Sequence, residues 1–303
     1  MERYVAGRFT VTAAPHDETL AHALLAGAVR RDTFPWLPRP TDRLLIQIAP
    51  NRRAFEELVG PHAPEYGAAI AFPGERRIVM QGSRAGSGAG DPMRVLRHEL
   101  AHMALAEELG GLPSRWFSEG YASLVAGEWG REEVLATNVS LVWRGVPTLD
   151  ELEEMFRGGP ARAAAAYALA HRAVVELGTL DTDRGLTLFF RYWREKGSFD
   201  AALRQAFTMT QSDFEQVWQQ RTRRRYGALA LFADFTVAAT VLLVLLLPIY
   251  IARRRRNRER LASMAHAEAT AEQRARESAV EALLASVSSP SEPPIGPGPG
   301  SEP

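Results

Sequence analysis

Two histidines four positions apart, with a glutamate directly after the first, could hold a catalytic metal ion. They are His98, Glu99 and His102, in the stretch MRVLRHELAHMAL (93–105). At about 3.6 residues per helical turn, the two imidazoles lie on one face of a helix and can bind one Zn²⁺ ion. Glu99 lies about 100° further round, where its carboxylate can reach a zinc-bound water without being a ligand itself.

The motif lies within a well-defined predicted helix. Asp91 followed by Pro92 is a typical helix start, and Gly110-Gly111 is a typical end, so we expect a helix from about 92 to 109. A chance match to the motif in a chain of this length is on the order of one per cent. The alternative is a pair of core histidines satisfied by hydrogen bonds.

A third zinc ligand is expected from the next helix. The chain has no cysteine, so the ligand has to be a histidine or a carboxylate. The segment GLPSRWFSEGYASLVAGEW (111–129) supplies Glu119, in the first turns of a helix that Ser114 is predicted to cap. Because two helices joined by a tight Gly-Gly turn pack antiparallel, Glu119 can return to His98 and His102.

HELAH followed by WFSEGYA resembles the gluzincin metallopeptidases, especially the peptidase MA-like family. The resemblance covers about residues 5–225, including the stretches AAYALAHRAVVELG and TQSDFEQVWQQR further along the chain. It implies that His98, His102 and Glu119 bind one Zn²⁺ and that the substrate is a peptide or protein. It also implies that Glu99 is the general base and then the general acid in peptide hydrolysis.

The same resemblance implies an oxyanion donor on a later helix. Tyr167, in AAAAYALAHRA (163–173), matches a tyrosine that this family commonly places there. His171 follows one turn later on the same face and is an alternative donor. Tyr167 could instead be a packing residue.

Two departures from better-known relatives refine these expectations. Thermolysin-type enzymes place an aspartate four residues after the ligand glutamate to orient a histidine, whereas Ser123 stands there in this chain. The stretch YGAAIAFPG (66–74) lacks the glutamate that holds the substrate amine in related aminopeptidases, which favours an endopeptidase. The strand RRIVMQ (76–81) is expected to pair with an extended substrate.

The remaining patterns predict an α+β fold. We expect a small mixed N-terminal sheet with helices, followed by a mostly helical zincin-like subdomain, all within residues 1–226. The predicted elements are strands at 8–15 and 43–50, helices at 18–32 and 51–60, and a hairpin of Ala69–Phe72 and Arg77–Gln81. The net charge is zero, so there is no bulk attraction to nucleic acid.

Residues 228–252 predict a single transmembrane helix. They are apolar apart from Asp234, and nothing is charged from Phe235 to Ala252, which is long enough to cross a bilayer. A buried helix of a soluble domain is the alternative. Arginines are more numerous after the span than before it, which favours a cytoplasmic tail and an extracytoplasmic catalytic domain. The start MERYVAGRFTVTAAP has no apolar signal core, so either a signal lies upstream of this start or the catalytic domain is cytoplasmic.

Two tail segments follow the span. Residues 253–286 begin with a basic run and are then rich in Ala, Glu and Arg, which predicts a solvated helix. Residues 287–303 are rich in Pro, Gly and Ser and are predicted to be disordered. Two other function classes stay open: an inactive zincin domain that binds peptides at the membrane, and a membrane scaffold acting through its tail.

Overall fold

The computed structural model describes residues 1–60, 68–85, 90–128 and 145–225, and residues 239–254 apart from 241, 249 and 252. The chain divides into two units, Met1–Asp234 and Phe235–Pro303. The predicted span (228–252) is described only in part, and both tail segments lie almost entirely outside the described residues. Within what is described, no helix is both long enough and apolar enough to cross a membrane.

The first part of the chain forms a mixed sheet, as predicted, but the sheet has five strands, because Glu2–Ala6 adds an edge strand to the four that were predicted. Its strands lie in the order β1-β2-β3-β5-β4, with β2, β3 and β5 parallel and an antiparallel strand at each edge. Helix α1 packs against β2, and helix α2 packs against β3 and β5. The elements are β1 Glu2–Ala6, β2 Phe9–Ala13, α1 Glu18–Arg30, β3 Leu44–Ala49, α2 Arg52–Val59, β4 Ala69–Phe72 and β5 Arg77–Gln81.

Alternating side chains along these strands explain why both faces of the sheet are covered. On β5, Ile78 and Met80 belong to the main core, whereas Val79 packs with Phe55 and Val59 of α2 in a smaller cluster. Successive residues of a strand point to opposite faces, so one strand serves both cores. The sheet is therefore a central layer with helices on each side.

The second part of the first unit is helical, which confirms the α+β prediction. Its helices are α3 Pro92–Leu109, α4 Arg115–Ala126, α5 Leu149–Met155, α6 Pro160–Gly178, α7 Thr187–Lys196 and α8 Phe199–Phe207. Residues 211–225 form one more helix, α9. The predicted limits of α3 are confirmed, because Asp91 Oδ1 accepts a hydrogen bond from the Met93 N–H at 3.0 Å and Gly110 is left-handed, with φ of 77°.

The start of α4 differs from the prediction. Ser114 occupies the N-cap position, but its side chain makes no capping hydrogen bond. The carboxylate of Glu153, from α5, accepts instead from the backbone N–H groups of Arg115 at 3.1 Å and Trp116 at 2.9 Å. Glu153 thus satisfies donors that a helix leaves unpaired at its first turn, and its charge complements the helix dipole. A cap from a distant element is not readable from local sequence.

Aromatic packing holds α4 in place on its other side. Phe117 is fully buried, and its ring meets Trp193 of α7 at 4.8 Å and Phe190 at 5.9 Å, both edge to face. Such pairs contribute about 0.5–1.5 kcal/mol each beyond the area that they bury. The depth of α4 in the fold is therefore fixed by residues that are not part of any polar site.

Helices α4 and α6 approach closely at Gly120. A Cβ atom added there would lie 2.6 Å from the carbonyl carbon of Ala170 and 2.8 Å from Val174 Cγ2. Both distances are far shorter than van der Waals contact, so a side chain would push the helices apart. Glycine at this position, directly after Glu119, lets the two helices touch at the backbone.

Gly120→Ala should therefore destabilise the fold by about 1–3 kcal/mol, because overpacking at a tight helix contact has no small relaxation available. Urea denaturation of the full-length protein measures this change. Gly111→Ala is the matched control, since a Cβ there meets no atom within 4 Å. It should change the free energy of unfolding by no more than about 0.5 kcal/mol. Equal stability of the two variants would contradict the packing assignment.

Candidate metal centre

Helix α3 presents His98 and His102 on one face, as the spacing predicts. Their ring centroids are 4.9 Å apart, and the side chains are only 13% and 10% exposed. Leu96, Leu100 and Leu105 of the same helix are buried in the main core. Packing on that side fixes the rotation of α3 and so aims both imidazoles towards α4.

Helix α4 brings Glu119 between the two imidazoles. Glu119 Oε2 lies 3.3 Å from His98 Nε2 and 3.8 Å from His102 Nε2. One donor atom from each of the three residues lies within 4.8 Å of the others. Ligands at about 2.0–2.1 Å from a tetrahedral Zn²⁺ are separated by about 3.4 Å, so this donor set fits zinc. The structure thus brings together all three residues that were predicted to be ligands.

The Nδ1 atoms of both histidines face groups carried by α4 or its end. Ser118 Oγ lies 2.8 Å from His102 Nδ1, and Glu128 Oε1 lies 3.2 Å from His98 Nδ1. The Ser118 contact is a hydrogen bond, which fixes the orientation of the His102 ring, whereas Glu128 contacts His98 at ion-pair distance. Both contacts leave Nε2 directed at the candidate metal position. The sequence motifs predict neither residue. For Ser118, the one local signal is its position directly before the candidate ligand Glu119.

Glu128 reaches His98 because of the way α4 ends. Gly127 is left-handed, with φ of 69°, and the Glu128 N–H donates to the Ser123 carbonyl at 3.1 Å. This glycine-terminated ending reverses the chain direction. Ser123 stands where thermolysin-type enzymes have an orienting aspartate. The structure places a carboxylate five residues later, that of Glu128, which follows the end of α4.

Charge in the metal-free centre is shared unequally between the two histidines. Burial alone would lower the pKa of His98, but the carboxylates of Glu119 and Glu128 outweigh it and raise that pKa to about 10. Burial lowers the pKa of His102 to about 4. Burial would raise the pKa of Glu119, but the contact with His98 and the nearby charges lower it overall. At neutral pH, one proton on His98 therefore supplies the positive charge that the carboxylates require.

Glu99 lies beside this centre and contacts the sheet. Burial, the largest cause, raises the pKa of its carboxyl to about 7, while the backbone N–H of Ala71 in β4 donates to it and opposes the rise. A carboxylate that titrates near neutral pH is suited to accept a proton and return it. Glu99 is not one of the three converging ligands, as the motif predicts.

The two candidate oxyanion donors have different surroundings. The hydroxyl of Tyr167 is partly buried at the rim and lies 3.4 Å from a guanidinium nitrogen of Arg115, whose Nε is 3.9 Å from Glu119 Oε1. The Tyr167 ring meets Phe156 edge to face at 5.0 Å. His171 is only 1% exposed and lies within the core. The roles of Tyr167 and His171 stay predictions, and accessibility favours Tyr167.

The predicted substrate strand is wrong. Strand β5 lies inside the sheet, with β3 on one side and β4 on the other, so all its backbone pairing is used. The edge is β4. Because the Gln81 N–H donates to the Ala68 carbonyl, the antiparallel alternation turns the backbone groups of Ala69 and Ala71 away from β5. The hairpin was predicted correctly, but its sequence does not show which strand is outermost.

No protein-family model matches the chain, and no curated protein matches it significantly. The gluzincin resemblance therefore rests on the motifs of α3 and α4 and on the convergence of their side chains.

Loss of the Glu128 carboxylate should weaken zinc binding by about tenfold or more, because His98 would lose the group that orients its ring. Glu128→Ala is the variant, and competition with a chromophoric chelator measures the zinc affinity of the full-length protein. Glu57→Gln is the control, since Glu57 is exposed on α2 in an ion pair with Arg53. Wild-type affinity in Glu128→Ala would show that the contact with His98 has no orienting role.

Proposed function

We propose that this chain is a zinc-dependent peptidase of the gluzincin type, in the peptidase MA-like family. The observation that carries the proposal is the convergence of His98, His102 and Glu119, with Glu99 beside them. This arrangement satisfies the ligand set of a catalytic zinc centre, in which three protein side chains leave one position open. The metal would supply a Lewis acid that polarises a carbonyl group and makes water more acidic.

Glu99 is the proposed proton carrier. Its carboxylate takes a proton from the attacking water and returns it to the leaving amine of the cleaved peptide bond. Burial, which raises the pKa of this carboxyl, supports the role, because it makes the carboxylate a stronger proton acceptor than an exposed one. Tyr167 is the proposed hydrogen-bond donor to the oxyanion that forms in between.

Strand β4 is the proposed binding edge for an extended substrate. The outward backbone groups of Ala69 and the Ala71 carbonyl can pair with a peptide, as strand addition requires, while the Ala71 N–H donates to Glu99. The contact of the Ala71 N–H with Glu99 supports this placement, since a peptide on that edge passes beside the proton carrier. Residues 66–74 contain no carboxylate to bind a substrate amine, so we propose an endopeptidase.

A test of the activity is cleavage of casein and of varied peptides by the zinc-loaded full-length protein, beside Glu99→Gln. The wild type should bind one zinc per chain and cleave, whereas Glu99→Gln should bind zinc with cleavage reduced by about a thousandfold or more, since it loses the proton carrier. His98→Ala should bind zinc much more weakly and lose activity. Zinc binding without cleavage by the wild type would favour a peptide-binding module instead.

We also propose that residues 228–252 anchor the protein in a membrane, with the catalytic domain extracytoplasmic and the tail cytoplasmic. The uncharged run from Phe235 to Ala252 supports the anchor. Six arginines in 253–260, against four in 221–225, support the orientation.

This topology predicts that protease added to intact cells digests the N-terminal domain, while carbonate washing leaves the anchored remainder in the membrane fraction. A tag placed at the C-terminus should be protected until the cells are opened. Full protection of the N-terminal domain would reverse the orientation. Release of the chain by carbonate would contradict the anchor.

A further inference from the structure

Arg115 is a half-exposed cation at the rim of the candidate metal centre. Its side chain is 48% exposed, and its Nε lies 3.9 Å from Glu119 Oε1, the carboxylate oxygen that faces away from the two histidines. A second guanidinium nitrogen lies 3.4 Å from the Tyr167 hydroxyl. Both distances are at the long limit for these interactions, so the guanidinium retains N–H groups able to bind another acceptor.

Among the described residues, the carboxylate that pairs with this guanidinium is that of Glu119, at the long distance of 3.9 Å. The guanidinium carbon atom lies over the ring of Phe156 at 5.0 Å, a cation–π contact. Phe156 in turn packs against Tyr167. The nearby Glu153 uses its carboxylate on the backbone N–H groups at the start of α4. Arg115 is thus positioned by a ring while its charge stays available.

We propose that Arg115 binds a carboxylate of the peptide substrate close to the scissile bond. This inference rests on the proposed function, and it specifies the substrate class. Arginine is suited to the role, because its planar fork binds a carboxylate through two parallel hydrogen bonds. The carboxylate can be an Asp or Glu side chain, or the C-terminal carboxylate of a short peptide. The two sources share one chemistry and are separated by experiment.

The distances place this carboxylate within one or two residues of the reacting bond. Arg115 is one helical turn before Glu119 on α4, and its Nε lies 3.9 Å from that carboxylate. An extended peptide advances about 3.3 Å per residue, so a group bound by the guanidinium belongs to a residue next to the scissile bond or to the following one. The contact would therefore make the protein selective for the substrate residues closest to the scissile bond.

A purely structural role for Arg115 is the competing explanation. In that case the i,i+4 pair with Glu119 only orients the ligand, and substitution would weaken the binding of every peptide equally. A ratio of affinities between matched peptides separates the two explanations. Damage to the centre lowers both affinities together, whereas loss of a carboxylate contact changes their ratio.

The experiment measures equilibrium binding of fluorescent alanine-based pentapeptides to the zinc-loaded full-length protein carrying Glu99→Gln, which prevents cleavage. Glu, Gln or Lys is placed at each position in turn, with the C-terminus either free or amidated. Binding should favour a carboxylate over its amide by about tenfold or more at one position or at the C-terminus. The position identifies the source of the carboxylate.

Three substitutions of Arg115 complete the test. Arg115→Gln should remove the preference, Arg115→Lys should retain part of it, and Arg115→Glu should reverse it towards the Lys peptide. An equal affinity for Glu and Gln peptides at all positions, or a preference that survives Arg115→Gln, would overturn the inference. Cleavage by the wild type without any preference would leave the peptidase proposal standing. Selective binding without cleavage would leave the carboxylate site standing alone.

Discussion

The contact between Glu119 and the two histidines of α3 constrains the position of every other element of the centre. Glu119 Oε2 lies within 4 Å of an Nε2 atom of both His98 and His102, so α4 has one acceptable depth and rotation against α3. Neighbouring residues of α4 set both. Phe117 is buried among the aromatic rings of α7 and α8, and Gly120 allows backbone contact with α6. Apolar packing on both sides of Glu119 therefore holds its carboxylate in a buried position. Burial of apolar surface alone would not favour a carboxylate there.

Burial of so many polar groups is costly without a compensating charge. Two imidazoles and the carboxylates of Glu119 and Glu128 are each less than a fifth exposed, and Glu99 lies beside them. In the metal-free protein, the raised pKa of His98 lets one proton provide part of that charge. A divalent cation would provide more and would displace this proton, which links metal affinity to pH. The electrostatics are thus compatible with a bound cation.

The parts of the structure that depend on local chemistry could be predicted from the sequence. The caps of α3, the histidine spacing and the glutamate in the next helix are all encoded within about thirty residues, and the structure confirms their placement. Long-range contacts could not be predicted. Glu153 rather than the side chain of Ser114 caps α4, Glu128 rather than position 123 supports His98, and β4 rather than β5 forms the edge. Each of these contacts depends on which distant element of the chain packs at that position.

Helix α4 and the turn at its end position Arg115 and Glu128 as well as the candidate ligand Glu119. Residues within and directly after α4 supply the group that faces Tyr167, the candidate ligand, and the partners of both histidine rings. The left-handed Gly127 provides the reversal that the last of these contacts needs. A centre assembled on two neighbouring helices depends first on how those two helices pack against each other.

The most direct test of the account is zinc K-edge absorption spectroscopy of the zinc-loaded full-length protein. We expect two imidazole nitrogens at about 2.0–2.1 Å with the remaining ligands oxygen, and loss of one imidazole contribution in His102→Ala. A spectrum without imidazole scattering, or one that His102→Ala leaves unchanged, would contradict the metal centre and the peptidase proposal that depends on it.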